Sequence, residues 1–447
     1  MRRARTGNPA RKIGLSIAVA LVVGNMVGSG VFLLPASLAP FGGISILGWL
    51  FTTAGAITVA LTLARLGRMM PAVGGPYAYT RRGLGSLPAF LVAWGYWISI
   101  WSGNAAISVG FVGYLAAFFP VLAQDPALGA LTALAAIWAL TAINAWGVRE
   151  AGLLQLLTTV LKLLPLLALG TAGLLFLEPG HFRPFNASGG PAFNAVTATA
   201  ALTLWAFLGL ESATIPADAV ERPERTIPRA TVLGTLLAGL IYILATVGVM
   251  GVLPATELAE STAPFADAGS RIWGSRAGSL IAAGAVVSAF GALNGWILLQ
   301  GQWPRAAASD GLFPGFFGTL SRRGTPVTGL VLSSLLATGL MALNYTASLV
   351  DQFTFIILLA TLSTLIPYAF SALSEMIISV REPEAFDGRR LAGASGIAVL
   401  ALAYSIWAIV GTGWRTVGWG GLLMLSGLPL YWWQVRKRKA GKEKGRA

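Results

Sequence analysis

The sequence predicts an all-α integral membrane protein that crosses the bilayer with twelve helices. Of its 447 residues, 55% are hydrophobic and only 11% are charged, whereas soluble domains carry about 25% charged residues. The mean hydropathy of +0.73 agrees with this class. Twelve apolar segments are each long enough to span ~30 Å of hydrocarbon as a helix. They cover residues 13–38, 42–65, 86–119, 127–147, 153–177, 194–217, 228–253, 275–302, 326–345, 351–379, 391–412 and 416–434.

The first apolar segment follows three basic residues, Arg2, Arg3 and Arg5, as the apolar core of a signal peptide does. It is too long for a signal peptide, and glycines interrupt its centre. We therefore expect it to be the first transmembrane helix, preceded by a cytoplasmic tail over residues 1–12.

Basic residues are distributed unequally over the loops. If the N-terminus is cytoplasmic, 26 of the 31 Lys and Arg residues fall in cytoplasmic segments, four fall in the opposite loops, and Lys162 lies inside a span. Because cytoplasmic loops are enriched in Lys and Arg, we predict that both termini are cytoplasmic, with a basic tail over residues 435–447. We also expect the chain to lie in the inner cell membrane. The net charge of +14 is then a topology signal and a contact for anionic lipid, rather than a surface for nucleic acid.

Residue types that carry out metal or covalent chemistry are scarce. The chain has no cysteine and a single histidine, His181, in a predicted external loop. This composition excludes a disulfide framework, a thiol nucleophile and a Cys-based metal site. The predicted spans also contain no His–Cys–Asp cluster and no phosphate-binding motif. We expect no cofactor, no metal and no enzymatic activity.

Three glycines interrupt the first span in the stretch Gly24–Phe32, which reads GNMVGSGVF. Each glycine costs roughly 1 kcal/mol relative to alanine inside a helix, and in lipid the freed backbone groups need other partners. Such a break is typical of a cavity, where N–H groups meet an anion and carbonyl groups meet a cation. The alternative is that the glycines only let helices pack closely.

The sixth span carries a second interruption, in the stretch Trp205–Ala213, which reads WAFLGLESA. Spans one and six occupy corresponding positions of two five-helix halves. This is the pattern of secondary transporters built from inverted repeats, whose substrate sites lie near the middle of the bilayer. The first repeat would cover residues 13–177 and the second residues 194–379, followed by two further helices over 391–434.

Several motifs resemble those of the amino acid–polyamine–organocation superfamily, in the same order along the chain. They are Gly28–Phe32 (GSGVF) in the first span, Pro71–Tyr79 (PAVGGPYAY) after the second, Trp205–Ala213 in the sixth, and Ala307–Pro314 (AASDGLFP) with Gly324–Pro326 (GTP) after the eighth. The likeness is closest to the arginine/agmatine antiporters of the basic amino acid/polyamine antiporter branch. It implies a LeuT-like fold of twelve helices, in which helices 1–5 and 6–10 are inverted repeats with broken helices 1 and 6. Dimers occur in that branch, so a homodimer is one expectation.

The resemblance also implies a substrate site at the two breaks. The backbone of Gly28, Ser29 and Gly30 would receive a substrate carboxylate, because N–H groups at a helix N-terminus suit an anion. Carbonyl groups at the sixth-span break would receive the α-amino group. The expected substrate-binding residues are Asn25, Met26, Gly28, Ser29, Gly30, Tyr96, Ser99, Ile100, Asn104, Trp205, Ala206, Leu208, Trp296 and Thr361.

Two tryptophans in the middle of spans, Trp205 and Trp296, match the two tryptophans of that family's pocket. The face of a Trp ring attracts an alkylammonium or guanidinium group by ~1–2 kcal/mol when the cation is desolvated, and the ring can also act as a movable lid. Without the resemblance, simple packing would be the favoured explanation for both.

One face of the third span is predicted to line the site, because Tyr96, Ser99, Ile100, Gly103 and Asn104 recur at helical spacing. Tyr96 resembles the family's gating tyrosine, and Ser99, Ile100 and Asn104 match positions around a substrate guanidinium. The chain departs from the antiporter at Ile100, which replaces a cysteine and cannot form hydrogen bonds. An elongated cationic or polar substrate fits this pattern better than arginine alone. The alternative is a Ser/Asn hydrogen bond between helices.

Two ionisable residues lie inside predicted spans, where such residues are costly and usually functional. Glu211 matches the sixth-helix glutamate of the antiporter and would gate the pocket or sense protons; the alternative is a structural ion pair with Lys162 or a backbone contact. Lys162 has no counterpart in that antiporter. In some proton-coupled bacterial amino acid permeases a lysine at this place replaces a sodium ion, and here it would contact carbonyls near Gly24 and Asn25. Snorkelling to the interface is the alternative.

The expected function is secondary active transport of amino acids by alternating access. The broken helices would clamp the two backbone ends of the substrate, Trp205, Trp296 and Tyr96 would close over it, and the bundle would rock to the other side. The resemblance favours an antiporter of arginine/agmatine type, whereas Lys162 favours a proton-coupled symporter or permease. A channel would show a continuous polar lining or charged rings, and a substrate-sensing receptor would carry an added soluble domain; the sequence predicts neither.

Overall fold

The computed structural model describes residues 14–70, 74–146, 148–214, 220–343, 349–382, 384 and 391–444. Its regular structure is helical, and helices lie in all twelve predicted spans, in the predicted order. The all-α architecture of a multi-pass membrane protein is therefore confirmed.

The first five spans contain the broken pair α1 (Leu15–Met26) and α2 (Ser29–Leu38), followed by longer helices. Short helices lie in the connections. The remaining helices of this half are α3 (Ser45–Met69), α4 (Pro76–Leu84), α5 (Ser86–Leu115), α6 (Val121–Gln124), α7 (Pro126–Trp146) and α8 (Val148–Leu175), of which α4 and α6 are connections.

The second half begins with α9 (Ala192–Leu204), whose span is also broken. The helices that follow it are α10 (Pro223–Val252), α11 (Ala255–Glu260), α12 (Pro264–Trp273), α13 (Ser275–Ser309), α14 (Val327–Ala342), α15 (Leu349–Arg381), α16 (Leu391–Gly411), α17 (Trp414–Ser426) and α18 (Leu428–Lys444). Of these, α11 and α12 connect the seventh span to the eighth.

Within the described residues, seven helices are long and apolar enough to cross a membrane, or eight if a pair bent by 109° near residues 411–414 forms one span. Helices that fall short of this criterion include α1, with 12 residues, and α14, with 16. The sixth span is among the seven, as Ala192–Thr214, whereas the first is interrupted and its second part is counted together with the next helix as Gly30–Met69.

Long helices pack against one another to form the core: α15 lies on α5, α10 on α3, and α13 on both α5 and α8. Glycines permit the closest approaches. A Cβ on Gly173 of α8 would lie 2.8 Å from the Cα of Gly248 of α10, and a Cβ on Gly248 would lie 2.3 Å from the Leu169 carbonyl oxygen. Close packing through small residues therefore explains these glycines, which lie away from the two breaks.

The loop helix α4 is tied to two other parts of the chain by polar contacts. The Tyr77 hydroxyl donates to Asp310 Oδ2 at 2.7 Å, and Arg81 pairs with the same carboxylate at 2.5 Å. Burial raises the pKa of Tyr77, and the Asp310 carboxylate raises it further. Arg82 pairs with Glu382 at the end of α15 at 2.5 Å. These contacts hold α4 against the end of α15 and the loop that follows α13.

Candidate functional site

The first span breaks at Val27 and Gly28. α1 ends at Met26, and the backbone of Val27 (φ −75°, ψ 89°) and Gly28 (φ −116°, ψ −157°) leaves the helical region before α2 begins at Ser29. The Gly28 N–H donates to the Met26 carbonyl at 3.0 Å. The N-terminus of α2 therefore lies inside the span, and its first N–H groups have no acceptor within their own helix. The Ser29 side chain lies outside the described part of the structure.

The sixth span breaks after α9, where a 3₁₀ turn covers Trp205–Phe207. Gly209 then takes φ +105°, a conformation that favours glycine. A Cβ at this position would also lie 3.1 Å from the carbonyl carbon of Asn25. The two breaks are thus in contact, and the Asn25 Nδ2 group donates to Ser212 Oγ at 2.9 Å.

A narrow cavity of about 20 Å³ lies between the two breaks. This is room for about one water molecule and far below the ~300–1,000 Å³ of small-molecule sites, so the surrounding side chains must move apart for a substrate to bind. Eight of the cavity's nine lining residues belong to the substrate-binding set predicted from the sequence, and the ninth is Ile107. The lining residues are Asn25, Met26, Gly28, Gly30, Ile107, Trp205, Ala206, Leu208 and Trp296. The fold therefore brings the backbone of both breaks and both predicted tryptophans to one place.

The Trp205 indole lies against two glycines. A Cβ on Gly30 would lie 2.3 Å from Trp205 Nε1, and a Cβ on Gly103 would lie 3.0 Å from the far edge of the ring. Only 8% of Trp205 is exposed. The two glycines therefore provide the space in which this ring sits, between α2 and α5.

Glu211 receives hydrogen bonds from three elements. The Tyr96 hydroxyl of α5 donates to Oε1 and the Tyr368 hydroxyl of α15 donates to Oε2, the latter at 2.7 Å. The Gly209 N–H donates to Oε2 at 3.2 Å. The carboxylate is fully buried, and it links the sixth-span break to α5 and α15. Lys162 is not among these donors.

Lys162 contacts the other break. Its Nζ donates to the carbonyl oxygen of Gly24 at 2.7 Å, and the side chain is fully buried. This carbonyl belongs to the last turn of α1, where helix carbonyls lack N–H donors within the helix. The ammonium group thus serves as a donor to the end of the broken helix, and complete burial is inconsistent with snorkelling.

The remaining predicted residues of α5 and α15 lie outside the cavity wall. Hydroxyl groups of Ser99 and Thr364 form a hydrogen bond with each other. The Asn104 Nδ2 group donates to Gln300 Oε1 at 2.6 Å. In the described part of the chain, Asn104 Oδ1 and Thr361 Oγ1 are buried without a hydrogen-bond partner. The third span therefore does form Ser and Asn hydrogen bonds between helices, and the Asn104 oxygen on α5 and the Thr361 hydroxyl on α15 are left without partners in the described structure.

Two residues of this region were not predicted, and helical spacing offered a signal for both. Tyr368 lies seven residues after Thr361, so the two share a face of α15. Ile107 lies three residues after Asn104 and continues the predicted face of α5. Ile100, where the chain departs from the resembling antiporter, is buried in an apolar cluster.

Residues 13–419 match the amino acid permease family. The chain belongs to this family. A cadaverine/lysine antiporter of Escherichia coli (strain K12) is 37% identical over 371 residues, which cover 81% of this chain and 82% of that protein. A putative arginine/ornithine antiporter of Bacillus subtilis (strain 168) is 36% identical over 434 residues, 90% of this chain and 92% of the relative. Putrescine transporter PotE of Haemophilus influenzae is 32% identical over 423 residues, 94% and 97% of the two chains.

These relatives confirm the resemblance to the basic amino acid/polyamine branch of the permease family. This permease is a membrane transporter and not an enzyme. Lysine, cadaverine, arginine, ornithine and putrescine appear in the relatives' names. None of these three names includes agmatine, so they support the transporter class more broadly than arginine/agmatine exchange.

Proposed function

We propose that this chain is an antiporter that exchanges a basic amino acid for an amine across the inner membrane, by alternating access. Arginine and agmatine form one candidate pair, and lysine or ornithine with a diamine are others. The observation that carries the proposal is the cavity between two touching helix breaks, lined by Trp205 and Trp296. The relatives named for basic amino acids and diamines support the same class of substrate.

The carboxylate of the amino acid would bind at the start of α2. Its first backbone N–H groups, at Ser29 and Gly30, lack acceptors within the helix, and a helix N-terminus favours an anion by its partial positive charge. Ala206 and Leu208 line the opposite side of the cavity, at the sixth-span break. Their carbonyl groups would receive the α-amino group. Neither the carboxylate nor the α-amino group of the substrate then requires a charged side chain of the protein.

The distal cation of the substrate would lie against the tryptophan rings and near α5. Cation–π attraction is worth up to ~2 kcal/mol when the cation is desolvated. Beyond the rings, Asn104 Oδ1 and Thr361 Oγ1 are buried oxygen atoms without partners in the described structure. Buried unsatisfied acceptors are rare and suggest an absent ligand or water. An ammonium or guanidinium group would satisfy them.

Glu211 would hold the gate in this scheme. Through Tyr96 and Tyr368 it joins the sixth-span break to α5 and α15, and rocking of one group of helices against the other has to break or rebuild these bonds. The two inverted repeats, over residues 13–177 and 194–379, would each contribute helices to the bundle that rocks. We further propose cytoplasmic termini, on the basis of the Lys and Arg distribution, and a homodimer by analogy with the resembling branch.

Lys162 supports a second candidate, a proton-coupled symporter or permease. A fully buried ammonium on the Gly24 carbonyl could release its proton during the cycle and so couple substrate movement to a proton gradient. Lys162→Met in liposomes separates the two functions. Loss of gradient-driven net uptake with retained exchange would support symport, whereas unchanged, pH-independent exchange and unchanged uptake would rule out coupling through Lys162.

Reconstituted protein tests the antiporter. Liposomes are preloaded with cadaverine, putrescine, agmatine, lysine or buffer alone, and uptake of external radiolabelled lysine, ornithine or arginine is measured. Antiport predicts saturable uptake that is accelerated by an internal basic amino acid or amine. Uptake that rises linearly with concentration and ignores the internal solute would indicate a channel, and binding without flux would indicate a sensor.

A further inference from the structure

Gln300 lies on α13, four residues after the cavity residue Trp296, and has no role in the function described above. We propose that it is a positioning residue: it fixes the Asn104 amide so that its oxygen, and not its NH₂ group, faces the substrate. The site then requires a hydrogen-bond donor at the distal end of the substrate. The inference rests on the proposed function, because it concerns the distal end of the same transported amino acid.

The orientation of the Gln300 amide follows from a backbone carbonyl. Its Nε2 group lies 3.0 Å from the Leu330 carbonyl oxygen, which can only accept. The nitrogen, and not the oxygen, must therefore face Leu330. Nε2 also lies 2.7 Å from Ser334 Oγ, so both of its hydrogens have acceptors. The side chain is fully buried, which leaves water no access to either group.

A second chain of hydroxyl groups supports the same orientation. The Thr141 hydroxyl donates to the Ile137 carbonyl at 2.7 Å and lies 2.7 Å from Ser334 Oγ. The single hydroxyl hydrogen of Thr141 is donated to the Ile137 carbonyl oxygen. The Ser334 hydroxyl must therefore donate to Thr141. Ser334 Oγ is then an acceptor toward Gln300. The direction of every hydrogen bond from α7 to Gln300 is thus determined.

The oxygen of the Gln300 amide in turn orients the Asn104 amide. Gln300 Oε1 is an acceptor, and it lies 2.6 Å from the Asn104 amide. Only the NH₂ group of Asn104 can donate to it, so Oδ1 must point elsewhere. That oxygen is buried and has no partner among the described residues. The network therefore leaves one lone acceptor, at a residue that the sequence already predicted near the distal end of the substrate.

The pair lies one helical turn beyond the cavity wall on both helices. Asn104 precedes the lining residue Ile107 by three positions on α5, and Gln300 follows the lining residue Trp296 by four on α13. Gly103, next to Asn104, contacts the Trp205 ring. A side chain that extends from the two breaks along Trp205 would therefore bring its distal group to Asn104. An ammonium group there gains a hydrogen bond, whereas a carboxylate meets a second acceptor.

The test compares three amino acids of similar length whose distal groups differ: lysine, norleucine and 2-aminoadipate. Their dissociation constants are measured for the wild type and for Gln300→Met, which keeps the length of the side chain but frees the Asn104 amide to rotate. Gln302→Met is the matched control, because Gln302 is half-buried on the same helix and its side-chain oxygen accepts only a 3.4 Å hydrogen bond from Arg305 among the described contacts.

We expect the preference for lysine over 2-aminoadipate to fall about tenfold in Gln300→Met, the order of one hydrogen bond to a charged group, and to stay constant in Gln302→Met. In an Asn104→Leu background, Gln300→Met should change the preference no further, because the residue that it positions is gone. Ser334→Ala removes one of the two acceptors of Nε2. It should shift the preference in the same direction by a smaller factor, and it provides the test if Gln300→Met does not fold.

An unchanged preference in folded Gln300→Met would overturn the inference while leaving the proposed function intact. An equal rise in the dissociation constants of all three ligands would also overturn the inference, since that is the effect of a merely structural residue. If the wild type itself binds no basic amino acid, or binds norleucine as well as lysine, the proposed substrate class fails before any variant is compared.

Discussion

The indole nitrogen of Trp205 lies so close to Gly30 that a methyl group added to that glycine would be 2.3 Å from it. One residue of the first break therefore sets the position of an aromatic ring that belongs to the second. Neither residue needs a charge to build the site: glycine supplies space, and tryptophan fills it on the wall of the cavity.

Gly30→Ala is expected to displace the Trp205 ring and weaken substrate binding at least tenfold, because real Cβ atoms do not approach other atoms this closely and the ring must move. Binding by isothermal titration or thermal shift provides the measurement. Gly339→Ala is the matched control, since a Cβ at Gly339 of α14 meets nothing within 4 Å. Equal binding in Gly30→Ala and the wild type would show that the ring's position is unimportant.

Tyr368→Phe is expected to lower the free energy of unfolding by ~1–3 kcal/mol, because it removes a donor from a fully buried carboxylate. If Glu211 holds the gate, Tyr368→Phe should also raise uncoupled uptake relative to exchange in liposomes. Tyr242→Phe provides the comparison: its hydroxyl is buried without a partner in the described structure, so its loss should be neutral or stabilising. The gate assignment is wrong if both variants show wild-type coupling.

Much of the site could be predicted because backbone chemistry leaves a strong mark on a membrane sequence. Glycine is unfavourable inside a span, so the interruptions at Gly28 and Gly209 identified both breaks and their pairing. The spans themselves followed from hydropathy and length. The residues that line the cavity are mostly those that surround the two breaks.

The polar partners of the site could not be predicted in the same way. Tyr368 binds Glu211 and Gln300 binds Asn104, and each pair is separated by more than a hundred positions in the sequence. In isolation, a Tyr or Gln within an apolar span indicates no particular partner. Lys162 and Glu211 illustrate the difficulty: pairing by charge was a plausible alternative, yet one donates to a helix carbonyl and the other accepts from tyrosines. Only the packing of α5, α13 and α15 decides which groups meet.

The ion pair between Arg65 and Glu375 should be important for folding. Arg65 Nε lies 2.9 Å from Glu375 Oε1, and the two side chains are only 26% and 1% exposed. Glu375→Leu leaves a largely buried guanidinium unpaired, so we expect the free energy of unfolding to fall by roughly 3 kcal/mol. The double variant Arg65→Leu with Glu375→Leu should recover most of this loss, because an apolar pair needs no compensation.

Thermal unfolding in detergent measures both effects. Arg82→Leu is the matched control, because the side chains of Arg82 and Glu382, which form an ion pair, are 47% and 38% exposed. Exposed pairs contribute only ~0–1 kcal/mol to stability. A double variant that is no more stable than Glu375→Leu alone would contradict the account, because the loss would then come from the shape of the glutamate and not from an unpaired charge.

Asp267, on the loop helix α12, is expected to make stability depend on pH. Burial raises the pKa of its carboxyl group above the ordinary value, although the Ser261 hydroxyl, at 2.5 Å, opposes the shift. A carboxyl group whose pKa is higher in the folded state than in the unfolded state binds its proton preferentially when folded. Its ionisation therefore destabilises the fold, and this penalty disappears as the pH falls from neutral toward the ordinary aspartate pKa of about 3.9.

Asp267→Asn keeps an oxygen for Ser261 and should be more stable than the wild type at pH 7, with the difference shrinking as the pH is lowered. Melting temperatures between pH 7 and 4 provide the measurement, with Glu260→Gln, an exposed carboxylate of α11, as the control. A difference between Asp267→Asn and the wild type that grows on acidification would reverse the sign and refute the argument.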